Sequence, residues 1–162
     1  MILETKRLIL RHWQESDVDI LFEYASDPDV GPIAGWPVHE SREYSLDVIR
    51  NVFNGHECYA VCLKDSGLVV GAIELLLNGR TDMTDRDDEC ELGYWIGKPH
   101  WGNEYAPEAA GRLIEHGFLD LGMRTIWCGY YDGNSKSRIV QEKLGFVFHH
   151  TCDEVDVPLL NE

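Results

Sequence analysis

The sequence predicts a mixed α/β fold in a single domain spanning residues 1–162, and three observations carry that prediction. Apolar runs of strand length, bounded by turn residues, alternate with segments whose apolar residues recur every three or four positions. One such run, Leu92-Gly-Tyr-Trp-Ile-Gly97, stops at Lys98-Pro99 and leads through a small-residue loop directly into the helical pattern Ala106 to Leu119. No repeat and no linker interrupts the chain, which at 162 residues, 44% hydrophobic and 27% charged, has globular composition and enough length to bury a substantial core.

The elements follow in the order β-α-α-β-β-β-α-β-α-β. Leu3 to Trp13 alternates, with Leu8, Leu10 and His12 on one face, and reads as a first strand. Ser16-Asp-Val-Asp19 resembles a capping box with Asp in place of Glu, so a helix is expected through Ile20, Leu21 and Tyr24, ending near Ala25. Ser26 to Pro37 is rich in proline and glycine around Val30, Ile33 and Trp36 and reads as a loop. Such a loop either lines a substrate site or packs on the core through Trp36. Ser41 opens a second helix with Tyr44, Val48, Ile49 and Val52 on one face, closed by Asn54-Gly55. Glu57 to Lys64 and Leu68 to Leu77 form a hairpin about the turn Asp65-Ser-Gly67. The acidic linker Asn78 to Asp88 lacks the glycine and terminal glutamate of a calcium loop and reads as solvated, and no metal site is expected. After the central strand, Glu89 to Gly97, and its helix come a strand at Arg124 to Tyr131, a short helix at Ser135 to Lys143 stopping at Gly145, and strands at Phe146 to Phe148 and Glu154 to Val157.

Charge narrows the partners. With 29 acidic against 14 basic residues the formal charge is -15, which disfavours nonspecific binding to nucleic acid or an anionic membrane and favours a cationic substrate or basic peptide. Solubility alone is the other explanation of that charge. Cys58, Cys62, Cys90, Cys128 and Cys152 are odd in number and lack CxxC spacing, so they read as buried thiols in a reducing compartment. No apolar segment approaches the roughly 18 residues of a membrane span, and Met1 to Arg11 has no signal-peptide pattern. A soluble cytoplasmic protein is expected.

The chemistry concentrates at Trp101-Gly-Asn-Glu-Tyr-Ala-Pro-Glu-Ala-Ala110. A helix that starts there leaves its first N–H groups unpaired, aimed beyond the carboxyl end of the preceding strand, where the partial positive charge of the helix also lies. Such a place binds phosphate. An ordinary strand-to-helix connection would use the same residues, so the other motifs decide. Glu-Leu-Gly-Tyr-Trp-Ile-Gly97, Trp101-Gly-Asn-Glu-Tyr-Ala-Pro-Glu-Ala and Asn134-Ser-Lys-Ser-Arg-Ile-Val-Gln-Glu-Lys-Leu-Gly-Phe146 together resemble the GNAT superfamily of acyl-CoA-dependent N-acyltransferases. The opening Glu4-Thr-Lys-Arg-Leu-Ile-Leu-Arg11 is similar too, and the likeness is to the RimJ/RimL-type branch.

That resemblance implies a mostly antiparallel central sheet of six to seven strands, splayed at its centre and flanked by four helices. It implies acetyl-CoA as co-substrate, with the strand at Glu89 to Gly97 bulging away from the strand at Arg124 to Tyr131 to admit the pantetheine arm. The implied cofactor contacts are Tyr94, Trp95, Ile96, Trp101, Gly102, Asn103, Glu104, Tyr105, Ala106, Asn134 and Ser137, with the backbone of Asn103 to Ala106 on the pyrophosphate. Asn134 is otherwise a helix cap. Trp36 and Tyr130 are the substrate-side candidates.

Three residues depart from the family pattern. Glu104 stands where glycine is usual and would repel phosphate if its carboxylate pointed inward. Pro107 forfeits one N–H but suits a first helical turn. Gln141 occupies the usual position of a tyrosine general acid and cannot protonate a thiolate. Protonation then falls to Ser137 first, to Tyr130 or to water. A primary amine is mostly protonated at neutral pH, so attack on a thioester needs a base, and the oxyanion needs donors such as backbone N–H groups near Ile96. Glu91, then Glu89, are the candidate bases, since alternation puts both on one face of the strand, away from Leu92 and Tyr94; both being solvent-facing strand residues is the other reading. The acceptor is a protein N-terminus or a small amine. A CoA-binding sensor or scaffold without efficient turnover is the alternative. Members of the branch usually continue past the segment resembling Asp156-Val-Pro-Leu-Leu160 into a further strand, and here only Asn161 and Glu162 follow it. The resemblance therefore implies an open sheet edge that is either paired with another chain, as in a homodimer, or covered by a loop.

Overall fold

Residues 2–34, 36–81, 84–128, 141, 144 and 146 are described by the computed structural model. Six strands form one sheet in sequence order: β1 (Leu3–Glu4), β2 (Leu8–Arg11), β3 (Cys58–Leu63), β4 (Val69–Leu76), β5 (Glu89–Ile96) and β6 (Thr125–Cys128). Each neighbouring pair is antiparallel except the last, where β6 lies parallel to β5. Against it pack α1 (Val18–Ala25), α3 (Arg42–Asn51) and α4 (Tyr105–Leu119), while α2 (Gly31–Ala34) is a single turn. The predicted mixed, mostly antiparallel sheet with flanking helices is therefore the fold. The fourth long helix expected at Ser135 to Lys143, and the strands expected from Phe146 onward, lie outside the described residues apart from isolated positions.

Several boundaries differ from the sequence reading, each for a local reason. The first expected strand is a hairpin, because the chain reverses at Thr5–Arg7, where the Thr5 N–H bonds the Leu8 carbonyl at 2.9 Å. Leu8 and Leu10 are fully buried, but β2 ends at Arg11 and His12 is exposed, its ring stacked on Tyr59 at 5.4 Å. Asp17, not Ser16, organises the start of α1: its carboxylate accepts the Gln14 N–H at 2.9 Å and a bidentate pair from Arg11. The loop Ser26 to Pro37 contains α2, and Ser41 caps α3 as expected, its hydroxyl accepting the Tyr44 N–H at 3.1 Å. On α3 the buried face is Ser45, Val48 and Ile49, while Val52 stays exposed.

The sheet buries two faces. On one, Ala109, Ala110 and Leu113 of α4 meet Leu8, Leu10, Val61, Ile73, Leu75 and Leu92. On the other, Leu21 and Tyr24 of α1 and Val48 and Ile49 of α3 lie over Cys58, Ala60, Cys62 and Ala72, sheet residues small enough to leave room for Trp13 and Trp95. Truncating a fully buried leucine such as Leu113 to alanine would cost about 2–5 kcal/mol. The ladder between β4 and β5 is unbroken from Gly71↔Ile96 to Leu76↔Glu91. A register slip lies between Val61 and Cys62 of β3, with Val70 the extra residue on β4. The splaying of β5 from the strand at Arg124 to Tyr131 would fall partly at residues outside those described.

Candidate active site

Strand β5 sets the site by sending its side chains and its backbone groups in different directions. The Gly97 N–H donates to the Val70 carbonyl at 2.8 Å, so antiparallel alternation turns the main-chain groups of Trp95 and Gly93 toward β4 and those of Tyr94 and Ile96 away from it. The outward groups lie on the flank that β6 occupies, and the β5–β6 ladder among the described residues covers only Glu89–Leu92 against Thr125–Cys128. The N–H groups of Tyr94 and Ile96 thus face away from β4, on the flank of β6 and past the last described β5–β6 pair. The Tyr94 side chain packs toward the α4 face and the Trp95 side chain toward α1 and α3.

The turn from β5 into α4 is held by its own side chains. The Trp101 indole donates to the Ile96 carbonyl at 2.8 Å, and the Asn103 amide donates to the His100 carbonyl at 3.0 Å. Gly102 (φ 86) and Glu104 (φ 63, ψ 25) both adopt left-handed backbone, with Glu104 at the N-cap of α4. That conformation is why glycine is usual at this position, and a side chain there costs roughly 1–2 kcal/mol. The Glu104 side chain is exposed. Tyr105, Ala106 and Pro107 form the first turn, so the N–H that proline lacks would have had no partner within the helix. Glu108, also in that turn, accepts from the Thr5 hydroxyl, from the Arg7 N–H at 2.9 Å and from the Arg7 guanidinium at 2.7 Å. Arg7 in turn lies 4.8 Å over the Tyr105 ring, so the N-terminal end of α4 is fastened to the β1–β2 turn.

The two candidate bases have unlike surroundings. Glu89 accepts from the Trp127 indole at 2.9 Å and the Thr84 hydroxyl at 2.8 Å, and Arg86 lies 3.7 Å away. Those bonds, Trp127 first, hold its carboxyl below the usual range. Glu91 accepts from the Thr81 hydroxyl at 2.6 Å and lines a cleft of about 180 Å³ with Trp36, Phe53, Trp95 and Glu74. Trp36 stands edge-on to Trp95 at 5.7 Å, so the loop residue singled out from the sequence forms a wall of this cleft.

Glu74 was not singled out by the sequence reading. It lies on β4 opposite Gly93, and across the sheet from Cys58, in the row of side chains that faces the cleft. Burial pushes its carboxyl up to about 7; the Cys58 thiol that hydrogen-bonds to it opposes the shift, the negative charge of Glu91 adds to it and Arg80 works against it. The signal was available: in Ala72-Ile-Glu-Leu-Leu76, alternation sets a lone carboxylate on the face of Ala72. Tyr130, Asn134 and Ser137 lie outside the described residues. Gln141 is buried, at 5% exposure. Among the described residues no cluster of His, Cys, Asp and Glu could hold a metal ion, and no helix is long and apolar enough to cross a membrane.

Comparison with known proteins agrees with this fold. The family described as acetyltransferase (GNAT) domain matches residues 7–147. A Bacillus licheniformis protein named uncharacterized N-acetyltransferase p20 is 28% identical over 150 residues, covering 89% of this chain and 81% of that one. The uncharacterized protein YkkB of Bacillus subtilis is 33% identical over 163 residues, covering 97% and 91%. Among solved structures, a GNAT-family acetyltransferase from Bacillus anthracis superimposes with a TM-score of 0.78 at 23% identity, covering 90% of this chain and 82% of that one. An acetyltransferase from Agrobacterium tumefaciens does so with 0.73 at 25%, covering the same shares, 90% and 82%. With the family pattern running through nearly all of the sheet and its helices, the chain belongs to the GNAT family, whose general activity is acetyl-CoA-dependent acetyl transfer.

Proposed function

We propose that this protein is an N-acetyltransferase of the RimJ/RimL type, moving an acetyl group from acetyl-CoA to a primary amine, either a protein N-terminus or a small molecule, by direct attack. The observation that carries this reading is a left-handed turn at Glu104 that opens α4 just beyond the end of β5, beside a carboxylate-lined cleft on the same strand. Unpaired N–H groups at such a helix start suit a pyrophosphate. Acetyl-CoA supplies the thioester as co-substrate. The backbone of Asn103 to Ala106 holds its pyrophosphate, with Gly102 giving the loop its close approach and Trp101 fixing the loop to β5. The N–H groups of Tyr94 and Ile96 serve the pantetheine amide and the developing oxyanion. Glu91 is the general base, since Glu89 is committed to Trp127, Thr84 and Arg86. Asn134 contacts the pantetheine arm and Ser137 protonates the leaving thiolate, both by likeness to the branch. Buried Cys58, Cys62 and Cys90 are free thiols, which suits a reducing cytoplasm.

Glu104 and Gln141 favour a second reading, a CoA-binding sensor of the same fold without efficient turnover. Thiol release on mixing the protein with acetyl-CoA and a panel of amines and peptides separates the two. Release that depends on an amine, with the acetylated amine found by mass spectrometry, is the expected result. Tight acetyl-CoA binding with no release for any amine would replace the enzyme with the sensor.

A further inference from the structure

We propose, resting on the acetyl-transfer reading above, that the cleft between β4, β5 and the Trp36 loop seats a primary amine carried on an apolar aromatic or alkyl body, and that Glu74 receives that amine's proton. The walls argue for the body. Trp36, Phe53 and Trp95 supply aromatic surface, and Ala72 and Leu76 supply the apolar sheet face between them. At about 180 Å³ the cleft falls below the roughly 300–1,000 Å³ of drug-sized sites, so it fits a small amine or the end of a larger one. A polar amine or polycation would leave its hydrogen-bonding groups against indole and aliphatic carbon.

The two carboxyl groups argue for the ammonium. Glu74 pairs with Gly93 and Glu91 with Leu76, so the two glutamates are diagonal neighbours on one face, with Cα atoms about 7–8 Å apart. Gly93 leaves the space between them open: a Cβ there would stand 3.8 Å from Glu74 Oε1. An ammonium with three donors reaches both groups, while aromatic faces beside it favour the positive charge. The charged or titratable groups facing Glu74 are Cys58 and Glu57 from β3 and its start, Glu91 from β5, Arg80 from the loop after β4, and His56 from the loop before β3. Its carboxyl, raised to about 7 chiefly by burial, accepts a proton in the pH range where the enzyme must deprotonate an amine.

One N–H bond of the ammonium breaks and its proton goes to a Glu74 oxygen, which leaves a lone pair on nitrogen. That pair forms the C–N bond to the thioester carbonyl carbon. The C–S bond then breaks, and the departing sulfur keeps the bonding pair and takes the second proton that nitrogen sheds. Glu74 passes its proton to solvent, so ammonium and thioester become amide, thiol and one proton. Glu91 completes the charge around the ammonium and, as the base for this second proton, relays it from nitrogen by way of Ser137 to the sulfur as the tetrahedral adduct collapses.

The test uses the full chain, acetyl-CoA and thiol release with phenethylamine, hexylamine, ethanolamine, spermidine and short peptides beginning with Phe or Ser. Phenethylamine, hexylamine or the Phe peptide should exceed ethanolamine, spermidine and the Ser peptide at least tenfold in kcat/KM. Whichever of the small amines and the Phe peptide is used better tells the two sources apart. Glu74→Gln should lower kcat/KM at least a hundredfold and abolish the acidic limb near pH 7, with acetyl-CoA affinity by calorimetry unchanged. Trp36→Ala, at a half-buried wall, should raise KM for phenethylamine several-fold and leave kcat nearly intact, a readout that stands even if Glu74→Gln does not fold. Preference for ethanolamine or spermidine, or a Glu74→Gln enzyme with an unaltered pH profile, overturns the proposal while leaving acetyl transfer in place. Failure of every amine to release thiol overturns the acetyl-transfer reading itself.

Discussion

Glu104 shows how one backbone conformation carries a functional argument. Its left-handed φ of 63 at the N-cap of α4 explains the family's glycine without reference to the ligand, and its exposed side chain makes strain the main cost. Replacing Glu104 with glycine should relieve about 1 kcal/mol of strain, read as added stability in urea unfolding, and remove a negative charge near the proposed phosphate site, so acetyl-CoA should bind tighter by calorimetry. Weaker binding would mean that the carboxylate holds the loop. At the proposed base, Glu91→Gln should reduce turnover by roughly a hundred- to ten-thousand-fold with acetyl-CoA affinity unchanged. Glu89→Gln should do much less, because its carboxylate is occupied and it sits nearly 7 Å further along the strand. Near-normal turnover of the Glu91 variant would pass proton removal entirely to Glu74. Strand alternation and a turn-rich loop pointed to Glu91 and Trp36, and both line the cleft. Alternation places Glu74 on the face of Ala72, but the burial that chiefly raises its carboxyl, and the neighbours Cys58 and Glu91, come from the flanking strands β3 and β5, which the local sequence does not reveal.

At the scale of elements, the link between the β1–β2 turn and the start of α4 spans a hundred residues of sequence. Thr5, Arg7 and Glu108 make it, and Glu108 is held below the usual carboxylate range: burial opposes the shift, but the bonds from Thr5 and Arg7 outweigh it. A depressed carboxyl contributes stability above its unfolded value near 4.5 and loses it as the pH falls through the folded value. Glu108→Gln should therefore lower stability at pH 7 by about 1–2 kcal/mol, discounted for the exposure of Arg7, and should weaken acetyl-CoA binding by loosening the helix start. Urea unfolding at pH 7 and pH 4 measures it, and the difference from the unaltered chain should shrink at pH 4. Elements with strong local patterns, α3 behind its Ser41 cap and the β3–β4 hairpin around Gly67, were readable directly from sequence. The β1–β2 reversal was not, because an alternating run does not reveal that a carboxylate from residue 108 will capture the backbone at Arg7.

For the molecule as a whole, two buried groups pull stability in opposite directions across mildly acidic pH. His39, bonded to the Ser45 hydroxyl at 2.7 Å, is pushed down to about 4 by burial, so the unfolded chain takes its proton first and stability falls as the pH drops below about 6.5. Glu74, raised to about 7, keeps a proton that the unfolded chain releases above about 4.5, so stability falls as the pH rises through that range. Each slope is at most about 1.4 kcal/mol per pH unit, and between pH 4.5 and 6.5 they largely cancel. His39→Asn should leave a stability that declines with rising pH, and Glu74→Gln one that climbs; parallel pH profiles for the two variants in urea unfolding would contradict the assignment. The aromatic wall of the cleft has a consequence of another kind. Trp36 and Trp13 flank Trp95 at 5.7 and 6.4 Å, close enough for the indoles to couple electronically in a chiral array. An amine that settles against Trp36 must perturb that coupling, so circular dichroism and intrinsic fluorescence give an unlabelled optical record of when the acceptor arrives.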